Sequence, residues 1–165
     1  MQIQRGEIRL DRFGPLGFKG LELDGKTVCS PMTRHAWDGP IVEMEVCDRC
    51  RSLTPRAGCM CGVHAAYSAG HVIDQYARWL NSVVVIVEAR GEVILHERGW
   101  RAEQCVVRAV VELYAGNFVK HMMNVQASMH FGGVPIVSLE EGIQVVQAQR
   151  KQREMESQDG HRKGS

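Results

Sequence analysis

The sequence predicts an α+β fold in which a small antiparallel sheet carries a four-cysteine zinc knuckle, followed by one helix and then by two C-terminal helices. Short β-branched runs separated by turn residues predict the sheet, four cysteines within fifteen residues predict the knuckle, and apolar residues at helical spacing predict the helices. The 165 residues suffice for one domain, and 44% hydrophobic with 24% charged residues is an ordinary globular composition. We expect a single zinc-stabilised domain over 1–149 and a disordered charged tail over 150–165.

Composition and charge exclude several classes of protein. The chain carries 20 Lys and Arg against 19 Asp and Glu, a net charge of +1, so it lacks the strong positive field of a dedicated nucleic-acid binder. Its longest apolar run, 83–87, is far shorter than the roughly 20 residues that cross a bilayer. The first residues contain no apolar stretch of the kind found in signal peptides. We therefore expect a cytoplasmic protein without membrane contact.

The first forty-six residues are typical of short strands separated by turns. Asp24-Gly25 between two apolar segments indicates a hairpin turn. The last segment leads directly into Cys47, so the first cysteine pair is expected at the end of a strand. The predicted strands are 7–10, 16–23, 27–29 and 41–46.

The middle of the chain is predicted to contain one helical stretch and then three strands. Apolar residues over 63–80 fall largely at helical spacing, with Gly70 as an expected break, so one helix or two short ones should follow the cysteines. The run 83–87 is β-branched and apolar on both faces, which indicates a central strand. After it we expect a turn at Arg90-Gly91, a strand over 92–96 and a third strand over 105–113.

Two helices are predicted near the C-terminus. One apolar face is formed by Phe118, Met122, Val125 and Met129, and Gly132-Gly133 should end that helix. The methionines at 122, 123 and 129 are expected to pack in the core, with docking of a partner as the alternative. Ser138 followed three residues later by Glu141 has the form of a capping box, so a second helix should begin at Leu139. Its apolar face continues through Ile143 and Val146.

The cysteines carry the strongest functional signal. Thiols stay reduced in the cytoplasm, so a tight cluster indicates a metal site rather than disulfides. Four thiolates complete the tetrahedral shell of a structural Zn²⁺, and two closely spaced pairs allow two backbone turns to supply them. The predicted metal ligands are Cys47, Cys50, Cys59 and Cys61, in the spacing C-x2-C-x8-C-x-C.

Other interpretations of the cysteines remain open. A four-thiolate iron–sulfur cluster uses the same ligands, and a redox Cys-x-x-Cys pair has the same spacing. His64 or His71 could replace one thiolate, although such histidines are more often partly buried, or donate a hydrogen bond that orients a metal ligand without binding the metal. The same holds for His35. Cys29 and Cys105 are expected to be inert core thiols.

A catalytic alternative rests on His96-Glu97, which could place acid–base groups beside the metal, as in a zinc-dependent hydrolase or deaminase. The order of motifs differs from that of the zinc deaminases, and a closed four-thiolate shell leaves no position for water. We therefore predict no catalytic residues and expect Glu88, Glu92 and Glu97 to lie on a solvated hairpin face. Trp100 is expected to anchor a β-turn on the core, with an exposed binding hot spot as the alternative.

The predicted metal loop is modestly basic. Arg49, Arg51 and Arg56 stand against the single acid Asp48 within 47–64. These arginines could contact phosphates, or they could neutralise the dianionic zinc centre. A partner protein or a nucleic acid therefore remains a candidate partner.

A set of short motifs is spread over roughly 16–113: Asp24-Gly25, Ser30-Pro31, Trp37 with Gly39-Pro40, Cys-x-Cys-Gly-Val-His-Ala from Cys59, Gly91-Glu92-Val93 and the stretch 96–103. Together these motifs resemble a group of small uncharacterised zinc-knuckle proteins of actinobacteria and their phages. The resemblance implies that Cys59 and Cys61 act as a pair with one or both of Cys47 and Cys50. It implies no activity. The function predicted is that of a small cytoplasmic regulatory or adaptor protein that binds a protein or nucleic acid.

Overall fold

The computed structural model describes residues 14–31, 34–43, 61–76 and 81–162. Within these ranges the chain forms an α+β fold with one mixed, mostly antiparallel sheet of seven strands and three helices. In chain order the elements are β1 (Leu16–Asp24), β2 (Thr27–Cys29), β3 (Ile41–Glu43), β4 (Val63–Ala66), α1 (Ala69–Tyr76), β5 (Ser82–His96), β6 (Gly99–Glu112), α2 (Phe118–His130), β7 (Ile136–Ser138) and α3 (Leu139–Arg162).

Four strands close into a ring. β5 pairs antiparallel with β1 along one edge and with β6 along the other. β4 pairs with the opposite edge of β6 and meets β1 again where Ala66 faces Phe18. The cycle β1, β5, β6, β4 and back to β1 therefore closes as in a small barrel, which removes exposed strand edges over the paired stretches.

The second edge of β6 is shared by three short strands in succession. β4 pairs with positions 99–102, β3 with 104–106 and β7 with 110–112. β3 and β4 run antiparallel to β6, whereas β7 runs parallel to it. β3 and β4 thus lie end to end along one edge, although residues 44–62 separate them in sequence.

Apolar residues on both faces of the sheet form two cores. Along β5, Val83, Val85 and Val87 belong to one core, whereas Val84 and Ile86 belong to the other. This alternation follows from the two-residue period of a strand. The first core also contains both Trp37 and Trp100 and the buried Ala127 of α2, and the second is covered by α1 and α3.

Two buried polar side chains hold the chain at the start of β1. Gln149 of α3 accepts a hydrogen bond from the Leu16 amide at 2.9 Å and donates one to the carbonyl of Gly14. Glu88 accepts from the Gly14 amide at 2.9 Å and from Arg108 Nε at 2.6 Å. Glu88 is 4% exposed, so the prediction that it lies on a solvated face is wrong.

Local signals in the sequence predicted several elements correctly. The hairpin turn after Asp24 forms, with Gly25 at φ +62°, a value that glycine adopts without strain. The capping box also forms, because the Glu141 amide donates to Ser138 Oγ and the Ser138 amide donates to Glu141 Oε2. Strands β1, β2, β5 and β6 confirm the predictions at 16–23, 27–29, 83–87 and 105–113, and β3 confirms the start of 41–46. The predicted strand 7–10 lies outside the described residues.

The prediction that a helix begins at residue 63 is wrong for its first residues. Val63 to Ala66 form β4, and the helix begins only at Ala69. Val63 and Ala65 are buried in the first core while pairing with β6, so long-range pairing overrides the helical spacing.

The turn predicted at Arg90-Gly91 is a β-bulge instead. β5 continues through it to His96, with a shift in register between Arg90 and Val93 and with Gly91 at φ +71°. The chain reverses at 97–98, and Trp100 therefore lies in β6 rather than in a β-turn. Its side chain is 1% exposed, which confirms the core anchor and excludes the exposed hot spot.

The apolar face predicted for α2 points away from the core. Phe118 is 75% exposed and Met129 is 67% exposed, whereas Asn124, Ala127 and the following Phe131 are buried. The core-facing side of α2 therefore carries the small Ala127 and the polar Asn124, together with the partly buried Met123, which packs against the first core.

The C-terminal segment differs from the predicted disordered tail. α3 continues to Arg162, although residues 151–159 are exposed. Side chains one turn apart stabilise this solvated part of the helix, as in the Arg150–Glu154 ion pair at 3.1 Å. No described helix is long and apolar enough to cross a bilayer.

Candidate metal centre

Of the four predicted ligands, the structure describes Cys61. It immediately precedes Gly62 and β4, and it is fully buried. The other three, Cys47, Cys50 and Cys59, lie outside the described residues, as do Arg49, Arg51 and Arg56.

Local backbone geometry places Cys61 at the base of β4. Gly62 adopts φ +110°, a region in which an L side chain is strained, so this position favours glycine. The next residue, Val63, pairs with Ala102 of β6 and is fully buried. The Cys61 thiol is therefore held next to a paired and buried part of the sheet.

A buried arginine binds the backbone of Cys61. Arg101 is 6% exposed, and its Nη1 donates to the Cys61 carbonyl oxygen at 3.3 Å. Its Nε donates to His96 Nε2 at 3.2 Å. Arg101 therefore connects β4 to the end of β5 and brings a cationic group next to the last predicted ligand.

Two histidines flank this arginine. His64 is the register partner of Arg101 across β4 and β6, which places their Cβ atoms about 5 Å apart on one face. His96 uses Nε2 to accept the hydrogen bond from Arg101, so the lone pair of that nitrogen is occupied. His96 in this arrangement can bind a further group only through Nδ1.

The remaining predicted alternatives are exposed side chains. His71 and Glu97 are exposed, on α1 and in the β5–β6 turn respectively, and His35 is exposed near β2. Across the described ranges 14–31, 34–43, 61–76 and 81–162, no three His, Cys, Asp or Glu side chains form a group able to hold a metal ion. Cys29 and Cys105 are buried as predicted, and burial raises the pKa of the Cys29 thiol.

The geometry of the neighbouring strands is the feature that sequence reasoning missed. Glu43 at the end of β3 faces Gln104, and Val63 at the start of β4 faces Ala102. The two chain ends that enclose 44–62 are thus two residues apart along β6, roughly 7 Å at the usual rise of a strand. No local pattern signals this closeness, because it depends on pairing with a strand about forty residues beyond β4 and about sixty residues beyond β3.

A groove of about 500 Å³ lies elsewhere, between α1, α3 and the β5–β6 turn. The guanidinium of Arg150 stacks 4.6 Å from the centroid of the Tyr67 ring at its edge. Burial raises the pKa of the Tyr67 hydroxyl, and the charge of Arg150 partly opposes that rise.

Comparisons with protein-family models, curated proteins and solved structures found no match to this chain.

Proposed function

We propose that this chain is a small cytoplasmic zinc protein in which Cys47, Cys50, Cys59 and Cys61 hold one structural Zn²⁺, and that it acts as a regulatory or adaptor module by binding a partner. The single observation that carries the proposal is that Glu43 and Val63, the residues on either side of 44–62, face positions of β6 that are two residues apart. A metal held by cysteines near both ends of this segment would fasten those ends together.

Chain reach supports this ligand set. Cys47 lies four residues after Glu43 and Cys61 lies two residues before Val63, with the strand ends about 7 Å apart. In the sequence, one cysteine pair thus follows closely after the end of β3, and the other closely precedes the start of β4. A cross-link between the two pairs restricts the unfolded chain, and a metal bound only by the folded state adds its binding free energy to stability.

The charges near the predicted ligands also support the zinc proposal. A zinc ion with four thiolates carries a net charge of −2, which is costly to bury without compensation. Arg101 supplies a buried positive charge at Cys61, and Arg49, Arg51 and Arg56 lie between the predicted ligands in the sequence. Neutralising the charge of the zinc centre is a sufficient role for these arginines, so no contact with a nucleic acid is needed to explain them. We therefore favour a protein as the partner.

A catalytic zinc site using His96 and Glu97 is the second candidate function. Its support is that Arg101 joins His96 to Cys61 through two hydrogen bonds. Against it, Nε2 of His96 is occupied by Arg101 and Glu97 is exposed in the turn. A hydrolase or deaminase also needs an open coordination position, which a four-thiolate shell does not leave.

Elemental analysis of the purified chain tests the proposal first. We expect one zinc per chain, lost in Cys59→Ser and Cys61→Ser, and retained in the control Cys29→Ser, whose thiol is also buried but lies outside the cluster. Replacing zinc with Co²⁺ then identifies the metal's ligands from the absorption spectrum, because four thiolates give tetrahedral Co²⁺ with strong sulfur-to-metal charge transfer.

Two results would contradict the structural zinc proposal. Freshly purified protein that contains no metal would rule out the structural zinc site altogether. A cobalt spectrum with fewer thiolates and a bound water would instead favour the catalytic candidate.

A further inference from the structure

The outward side of α2 carries an apolar stripe, which we call the α2 seam and which consists of Phe118, Met122, Val125 and Met129. Phe118 is 75%, Met122 49% and Met129 67% exposed, and Val125 is half-buried. Val119 beside it is 64% exposed. Contiguous exposed apolar surface on a helix marks an interaction site, because isolated exposed side chains are ordinary whereas patches are rare.

The spacing of the seam is symmetric. Its residues are separated by four, three and four positions, so the pattern reads the same in both directions along the helix. A two-fold axis across the middle of α2 would set Phe118 against Met129 of a second copy and Met122 against Val125 of that copy. This is the alternating four-three spacing with which antiparallel helices pack along a common seam.

The flanks of the seam allow two copies to approach. The positions beside it, Val119, His121, Gln126 and Ser128, include no Lys, Arg, Asp or Glu. The one lysine of α2, Lys120, donates to the Ser82 carbonyl at 3.2 Å within its own chain. Two identical faces therefore meet without like charges opposed, which a two-fold interface requires.

The exposed apolar side chains form one continuous patch. Phe118, Val119, Met122 and Met129 are each between 49% and 75% exposed and follow one another along α2, which makes a patch of the size class of the largest found on monomers, on the order of 300 to 600 Å². A standard homodimer interface buries roughly 800 Å² per partner, of which about 65% is apolar, so a patch of this class is of the size that its apolar part needs. We propose that two copies of this chain form an antiparallel dimer through the α2 seam, independently of any metal.

Sedimentation velocity of the full chain up to high micromolar concentration tests the proposal. We expect twice the chain mass of 18.5 kDa for the wild type. Phe118→Lys and Met129→Glu should each be monomeric, because a charge then faces an apolar side chain. Met155→Lys is the matched control, since Met155 is equally exposed (66%) but lies on α3, and this variant should remain dimeric.

Mixing the two charged variants tests the antiparallel arrangement. The lysine introduced at position 118 of one chain would then face the glutamate introduced at position 129 of the other, so the mixture should recover the dimer that neither variant forms alone. Recovery also shows that both variants are folded. A wild type that is monomeric throughout, a dimer that persists in Phe118→Lys, or a mixture of folded variants that stays monomeric would each overturn the proposal.

Discussion

Arg101 and Cys61, forty residues apart in sequence, are joined by a hydrogen bond from the Arg101 guanidinium to the Cys61 carbonyl oxygen at 3.3 Å. The side chain of Arg101 is buried and also donates to His96. A single side chain therefore links the base of the cysteine segment to the end of β5.

Replacing this arginine should destabilise the fold. Arg101→Leu leaves a buried carbonyl without its charged donor, and hydrogen bonds to charged groups contribute about 1.5 to 3 kcal/mol. We expect the free energy of unfolding in urea to fall by about 2 kcal/mol. Arg98→Leu is the control, because Arg98 is exposed in the adjacent turn and its loss should change stability by less than about 0.5 kcal/mol. Equal effects would contradict a specific role for Arg101.

The buried carboxylate of Glu88 provides a second test. Arg108 donates to it at 2.6 Å, whereas Arg90 approaches it only to 3.9 Å and is half exposed. Arg108→Met should lower the free energy of unfolding by about 3 kcal/mol, because it leaves a buried charge poorly compensated. Arg90→Met removes a weak surface pair and should cost less than about 1 kcal/mol. The reverse order of the two losses would show that Arg108 is not the main partner.

Close packing of β4 against β6 gives a third prediction. A Cβ atom at Gly99 would overlap the carbonyl oxygen of Ala65, so the two strands cannot keep their distance in Gly99→Ala. We expect a loss of about 2 kcal/mol, within the range found for overpacked sites. Gly39→Ala is the control, since nothing lies within 4 Å of a Cβ atom there. A thermal unfolding curve for Gly99→Ala that overlays the wild type would contradict this packing.

Stability at alkaline pH should depend on Tyr67. Burial raises the pKa of its hydroxyl above the ordinary value of 10.0, so the unfolded chain releases this proton at lower pH than the folded chain. The resulting contribution to stability is complete below about pH 10 and is lost as the pH rises through the folded pKa. Wild type should therefore lose more thermal stability than Tyr67→Phe between neutral pH and pH above about 10. Parallel pH profiles for the two proteins would refute this.

Elements specified by neighbouring residues could be predicted from the sequence. Ser138 and Glu141 lie within one helical turn, and Asp24-Gly25 forms its turn with the residues it adjoins, so these signals depend on no distant contact. The run 83–87 was also predictable as a central strand, because apolar residues on both faces require cover on both sides. The cluster of cysteines is visible in the same way and supports the zinc proposal without any structure.

Tertiary structure alone decided the rest. Val63 is in a strand because β6 offers it a partner, and β3 lies end to end with β4 because both pair with the same edge. Asn124 and Ala127, together with the partly buried Met123, face the core, whereas the large Phe118 and Met129 face outwards. Periodicity shows that a helix has an apolar face, but which face is buried depends on the shape of a surface built from residues far away in sequence.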